Sequence, residues 1–372
     1  MLVSRRAAAF ISIAALVASA CSSSATASPS ATTAAVASAT PATSAVASAA
    51  APCTVGVSWN NYQEERWAKW DEPAIKAELT AAGAKYISND AKSLSDTQIT
   101  NVENLITQGA KVIILLAQDG VAIEPAVKEA LQAGVGVIAY DRLIEDPGAL
   151  YITFDNVKVG HLQAQYVFAA KPTGNYVVIK GSPTDANANF LRTGMDEVIK
   201  SAVDSGAIKI VGETYTNNWD PATAQTEMEQ FLTKNNDKVD AVLSENDGMA
   251  GGIVAALKSV GLAGKVPVSG QDGDVAALNR IALGTQTVDV WKDARLLGKT
   301  AGDAAIAMCN GTTIDKIANV APFKSPKGNT LDSILLTPEA ITKDNLGDVL
   351  TAGWIPKDKL CQGVAAGSVA GC

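Results

Sequence analysis

Histidine is nearly absent: His161 is the one copy in a chain of 372 residues. One imidazole and five scattered cysteines leave no clustered ligand set for zinc or iron. They also leave no Ser–His or Cys–His pair for nucleophilic catalysis. His161 reads as a surface residue on the helix that follows Phe154-Asp155-Asn156. Charge is sparse as well, with Asp, Glu, Lys and Arg at 18% and a net charge of -8. No basic patch stands out, which argues against nucleic acid as a partner, and the acidic balance speaks only to solubility. No Walker or Rossmann glycine pattern follows the first apolar run of the body of the chain, which leaves no phosphate-cradling loop there. The N-terminal apolar stretch, Ala7 to Ala18, is too short to span a bilayer.

That stretch follows Arg5 and Arg6 and ends in Ala18-Ser19-Ala20 before Cys21. The layout is that of a signal peptide, and a cysteine placed directly after small residues resembles a bacterial lipoprotein cleavage site. The expectation is a signal over 1–21 and a lipid on Cys21 that anchors the protein to the outer face of the cell membrane. Residues 22–52 are almost wholly Ala, Ser, Thr and Pro, with no charge and no aromatic ring. They cannot bury enough surface to fold, so they read as a disordered tether. Cys53, Cys309, Cys361 and Cys372 remain, an even number for an oxidising compartment with three possible pairings. Cys309 with Cys361 is preferred because both lie at the edges of late elements, which leaves Cys53 with Cys372.

What the chain does have is a succession of short Val/Ile/Leu runs ending in polar clusters. VGVSWNN, VIILLAQD, VGVIAYDR and YITFDN come first; YVVIKGSPTD, IKIVGETYTNN, VDAVLSEND and VPVSGQDGD follow. Amphipathic stretches lie between them, including Glu64 to Ala82, Ser95 to Gln108 and Ala122 to Ala133, with Gly83, Gly109 and Gly134 just after each as C-caps. Pro73 should kink the first of these. Apolar strands alternating with helices indicate parallel sheets covered on both faces. The pattern occurs twice. The fold class is therefore α/β, with two similar parallel-sheet lobes joined by a multi-strand hinge. The expected division is 53–156 with 293–324 for the first lobe, 157–292 with 325–360 for the second, and 361–372 as a tail. A hinged pair closes on a ligand between its lobes.

In parallel sheets the ligand crevice lies beyond the carboxyl ends of the strands. Asp141-Arg142 places a carboxylate beside a guanidinium at one such end, a pairing that satisfies both the donor and the acceptor capacity of sugar hydroxyls. Asp185 with Asn187, Asn246-Asp247 and Gln271-Asp272 repeat the character at other ends. Each could instead cap a helix, and for Asp247 and Asp274 the cap is the preferred role. Trp67, Trp70, Trp219 and Trp291 lie near the same ends, where an indole plane packs on the C–H face of a sugar. Trp70 also fits a core stripe, whereas Trp219 sits in a loop and favours the site.

These residues fall within longer stretches that resemble one family. They include Glu65-Arg66-Trp67, IAYDR, Thr153 to Gly160, Gly174-Asn175-Tyr176, Gly181-Ser182-Pro183, SENDGMAGG, SGQDGD and Gly284 to Thr287 with Val290-Trp291-Lys292. In order and over both lobes, the chain from Val55 to Thr337 resembles the xylose-binding branch of the ribose- and galactose-type periplasmic binding proteins of bacterial ABC importers. The resemblance implies the type I periplasmic binding protein fold. It also implies a pentose held by Arg66, Asp141, Arg142, Asp185, Asn187, Asn246, Asp272 and Lys292 and stacked by Trp67 and Trp219. A monomer follows that delivers a monosaccharide to an importer permease, with no catalysis, cofactor or metal. Asn60 and Asn61 stand where acidic residues are expected, and Ala186 and Asn189 replace more polar or basic ones. Ribose, arabinose, glucose and galactose therefore stay open beside D-xylose. The rival class is a glycosidase using two of Asp141, Asp185, Asp247 and Asp272. A sugar-responsive regulator would need a basic helix-turn-helix where the signal and tether stand.

Overall fold

The computed structural model describes residues 52–372. The signal peptide, Cys21 and the tether up to residue 51 lie outside the described residues. No described helix is long and apolar enough to cross a membrane.

The first lobe is built on a seven-stranded sheet. Its strands are β1 (Thr54–Trp59), β2 (Lys85–Asp90), β3 (Val112–Leu115), β4 (Gly136–Tyr140) and β5 (Ala149–Phe154), with β11 (Ala321–Lys324) and β12 (Thr330–Leu336) arriving late in the chain. The order is β11-β12-β5-β4-β3-β1-β2, parallel except for β11 against β12. Successive side chains of a strand face opposite ways, and both faces are apolar here. Val112 and Ile114 of β3 pack under α1 (Glu72–Ala81) and α9 (Ala294–Cys309); Ile113 and Leu115 pack under α2 (Ser95–Thr107) and α3 (Glu124–Gln132). Full burial of each such side chain contributes about 1.5–3 kcal/mol, so continuous apolar runs are selected over alternating ones. Gly83, Gly109 and Gly134 carry φ of 70°, 84° and 73°, as the left-handed helix ends require. Pro73 lies inside a helical run that is continuous from Glu65 to Ala81, and the irregularity expected there takes the form of a π-helical turn over Trp67–Asp71 directly before it.

The second lobe contains β6 (Gly174–Lys180), β7 (Ile208–Tyr215), β8 (Ala241–Ser244), β9 (Ser269–Gln271), β10 (Val288–Trp291) and β13 (Glu339–Ile341). They form the groups β7-β6-β8 and β13-β10-β9, linked by a bridge between Val242 and Val268. Around them lie α4 (Asn156–Ala170), α5 (Ala186–Asp204), α6 (Pro221–Lys234), α7 (Asp247–Ser259) and α8 (Val275–Leu283). His161 lies on α4, partly exposed, with its Nδ1 3.0 Å from the Glu197 carboxylate.

The chain passes between lobes after β5, after β10 and after β12. The last crossing comes later than expected. Residues 325–336, assigned above to the second lobe, include β12, which pairs in parallel with β5 from Ser333–Tyr151 to Leu336–Phe154. Leu331, Ser333 and Ile334 are buried there, so the first sheet claims the strand.

The disulfide pairing also differs. Cys53 bonds Cys309 and Cys361 bonds Cys372. Helix α9 returns to pack beside α1, which brings its last residue to the start of β1. The tail closes on itself, with Val369 buried in the same cluster as Trp354 and Leu360.

Candidate functional site

Most of the strand ends named above converge on one cavity between the lobes, although those after β3 and β5 do not line it. The first lobe contributes Glu64 and Trp67 after β1 and Asp141 and Arg142 after β4; the second contributes the rest, from Asp185 to Lys292. The cavity is narrow, with a volume of about 20 Å³, so the lobes stand nearly closed on it.

Of the residues expected from sequence, Trp67, Asp141, Arg142, Asp185, Asn187, Trp219, Asn246, Asp272 and Lys292 line this cavity. Arg66 does not line it; it stands behind. Its guanidinium bonds the Asp71 carboxylate at 2.9 and 3.0 Å and reaches Asp141 and Asp272 at 3.2 Å each. Lys292 meets Asp272 at 3.0 Å and Asp141 at 3.8 Å. On the far side Arg142 Nε pairs with Asp185 at 3.0 Å. Arg66–Asp272 and Arg142–Asp185 each join one lobe to the other. Gln118 to Asn218, at 2.8 Å, does the same at the margin.

Backbone geometry aims several of these groups. Asp141, Trp219 and Asp272 have φ of 60°, 56° and 105°, left-handed values that cost non-glycine residues on the order of 1–3 kcal/mol each. Sheet hydrogen bonds hold two of them: Asp141 N–H to the Ile152 carbonyl at 2.8 Å, and Asp272 N–H to that of Val290 at 3.1 Å. The Trp219 indole lies flat against Gly181, where a Cβ would come within 2.1–2.3 Å of the ring, so only glycine fits.

Capping and binding are not alternatives here. Asp185 accepts from Asn187 N–H at the start of α5, and Asn246 accepts from Met249 N–H at the start of α7, yet both line the cavity. The cap expected at Asp247 is corrected, whereas Asp274 does hold the cap position at the start of α8. Asn246 occupies the cap position, and Asp247 is buried, accepting from Gly273 N–H, Asp274 N–H and Gln286 Nε2 at 3.1, 3.0 and 2.8 Å. It braces the turn that carries Asp272. Asp274 makes no side-chain bond to α8. Trp70 and Trp291 pack instead on Trp354, at centroid distances of 4.6 and 5.5 Å.

Carboxylates outnumber cations on the cavity wall: Glu64, Asp141, Asp185 and Asp272 face Arg142 and Lys292, with Arg66 behind. Burial opposes ionisation of Asp141, but Lys292, Arg66 and Arg142 outweigh it and hold the carboxyl below the ordinary range. Burial raises Asp185 and Glu64, with Arg142 countering at both. Asp71 is pushed up to about 6 by burial despite Arg66.

Sequence reasoning missed Glu64 and left Gln271 out of the set, although both line the cavity. Gln271 was visible as a polar strand end. Glu64 was masked as the start of a helix, although it stands three residues before Trp67 and shares its helical face.

Two parallel-sheet lobes with repeated crossings and a polar cavity at facing strand ends define a type I periplasmic binding protein. The chain belongs to that family: residues 55–313 match the periplasmic binding protein domain. It is 40% identical over 305 residues to the D-xylose-binding periplasmic protein of Escherichia coli (strain K12), covering 80% of this chain and 88% of that one. It is 36% identical to the multiple sugar-binding periplasmic receptor ChvE of Rhizobium radiobacter, over 81% of this chain and 90% of the receptor. An ABC transporter solute binding protein from Clostridium phytofermentans, solved with bound β-D-glucose, superposes with a TM-score of 0.75 at 28% identity. That match covers 82% of this chain and 99% of the other.

Proposed function

We propose that this protein is an extracytoplasmic solute-binding protein that closes its lobes on a monosaccharide, D-xylose before other sugars, and delivers it to an ABC importer. One observation carries this: a small cavity lined by two indoles, Trp67 and Trp219, together with carboxylate, guanidinium, ammonium and amide groups from both lobes. Apolar planes suit the C–H faces of a sugar ring, and the polar groups suit its hydroxyls. The identities to a D-xylose-binding protein and a multiple sugar-binding receptor support the same class. Arg66, behind the cavity, sets the positions of Asp141 and Asp272 rather than lining the site.

The protein acts without chemistry. A glycosidase needs one carboxyl as acid and a second as base or nucleophile. Asp141, Asp185 and Asp272 are instead engaged in ion pairs with Arg66, Arg142 and Lys292. Residues 1–21 act as a lipoprotein signal and Cys21 as the anchor; Cys21→Ala should release the protein from the membrane fraction, and continued membrane association would refute the anchor.

A thermal-shift screen over pentoses and hexoses tests the main proposal. A ligand at one hundred times its Kd stabilises by about 2.7 kcal/mol, so D-xylose should give the largest rise in Tm. The sugar should be recovered unchanged. No shift with any sugar, or consumption of the sugar, refutes it.

A further inference from the structure

Most acidic groups on the cavity wall already face cations. Asp272 meets Lys292 and Arg66 at 3.0 and 3.2 Å; Asp141 meets Arg66 at 3.2 Å; Asp185 meets Arg142 at 3.0 Å and also caps α5. Glu64 is different. Its side chain is only 10% exposed, and its Oε2 accepts from Trp67 Nε1 at 2.7 Å. Its Oε1 is buried without a hydrogen-bond partner, and the nearest cation, Arg142 Nη2, is 3.7 Å away. That separation is too long for a hydrogen bond. A buried carboxylate oxygen in this state is destabilising until a donor reaches it.

We propose that Glu64 is a specificity-determining residue, whose Oε1 accepts a hydrogen bond from one hydroxyl of the monosaccharide in the cavity. This rests on the sugar-binding function proposed above. The carboxylate is held in place: Trp67 fixes one oxygen by hydrogen bonding, and the Arg66 guanidinium lies over the Trp67 ring at 4.4 Å. The other oxygen therefore occupies one position and reads one hydroxyl rather than adapting to several. Across the cavity, Trp219 Nε1 and Gln271 Oε1 are likewise buried without partners. The first lobe thus presents two acceptors without a hydrogen-bond donor, Glu64 Oε1 and Asp141 Oδ2, of which only Asp141 Oδ2 has a cation as near as 3.2 Å, and the second presents a free donor and a free acceptor. A sugar lacking the matching hydroxyl, or carrying it in the opposite configuration, leaves Glu64 unpaired. A site built to hydrogen-bond a hydroxyl rejects the analogue without it far more strongly than an apolar pocket rejects a missing methylene.

Calorimetric titration of wild type, Glu64→Leu and Glu64→Gln with D-xylose and its 2-, 3- and 4-deoxy analogues tests this. Where D-glucose proves the tighter ligand, its deoxy series replaces them. In wild type one deoxy position should lose roughly tenfold to a hundredfold in affinity through this contact. In Glu64→Leu the loss at that position should shrink by at least tenfold, while the losses at the other positions stay as they were. Glu64→Gln, which keeps the shape but offers an amide, should shrink the loss at the same position, and it carries the test if Glu64→Leu fails to fold. An identical deoxy profile in wild type and the folded variants overturns the assignment of Glu64 while leaving the sugar site intact. Failure of every sugar to titrate into folded wild type overturns the sugar site, and this inference with it.

Discussion

Asp272 is the residue through which the second lobe should grip both the sugar and the first lobe. Replacing it with Ala removes a carboxylate that lies 3.0 Å from Lys292 and 3.2 Å from Arg66. Arg66 keeps Asp71 at 2.9 Å and Asp141 at 3.2 Å; Lys292 keeps only Asp141, at 3.8 Å. Two effects follow. Removing one partner of a buried ion pair typically costs about 3–5 kcal/mol of stability, and the remaining carboxylates place this change near the lower limit. A hydrogen bond to a charged group contributes about 1.5–3 kcal/mol, so affinity for D-xylose should fall roughly 10- to 150-fold. Asp272→Asn keeps the volume and one acceptor and should lose less on both counts. Asp344→Ala, on an exposed stretch, serves as a control and should change neither. Calorimetry reads affinity, and denaturant melts read stability separately. If folded Asp272→Ala binds D-xylose as wild type does, the site is misplaced and the proposed function loses its main support.

Trp219→Ala should weaken sugar binding by removing the indole face. Gly181→Ala should do much the same by pushing a methyl group into the ring, and titration with D-xylose checks both. The Cys53–Cys309 bond spans 256 residues and Cys361–Cys372 spans 11. By loop-closure entropy Cys53→Ser should therefore cost about 5–6 kcal/mol and Cys372→Ser about 3 kcal/mol or less, as thermal melts will show. Asp289 is fully buried with Oδ2 unpartnered, and burial raises its carboxyl to about 8. The folded state therefore binds this proton more tightly than the unfolded chain, and stability from this group falls as pH rises from about 4 to about 8. Asp289→Asn should flatten that fall between pH 6 and pH 8; an unchanged Tm slope across that window would refute the shift. Small-angle scattering should show a smaller radius of gyration with saturating D-xylose than without, and an unchanged radius with binding confirmed would count against hinge closure.

Local chemistry alone determined the alternation of strands and helices. An apolar run such as Val112 to Leu115 has few ways to hide every side chain other than a sheet covered on both faces. Gly83, Gly109 and Gly134 mark helix ends by a backbone rule that holds anywhere. Parallel topology then carries the polar residues after each strand to one edge, which is why Asp141, Asp185, Asn246 and Asp272 could be named before any coordinates. The remainder depended on distances between residues far apart in the chain. No local signal shows that the end of α9 reaches the start of β1, so Cys53 with Cys309 was not readable. Nor does any local signal assign β12 to the first sheet rather than the second. Arg66 and Glu64 sit two residues apart, yet one turns behind the cavity to neutralise Asp71, Asp141 and Asp272, while the other faces into it. The carboxylates of Asp71, Asp141 and Asp272 hold Arg66 there, and the last two reach it from strand ends far along the chain. Such electrostatics exist only once the two lobes have come together.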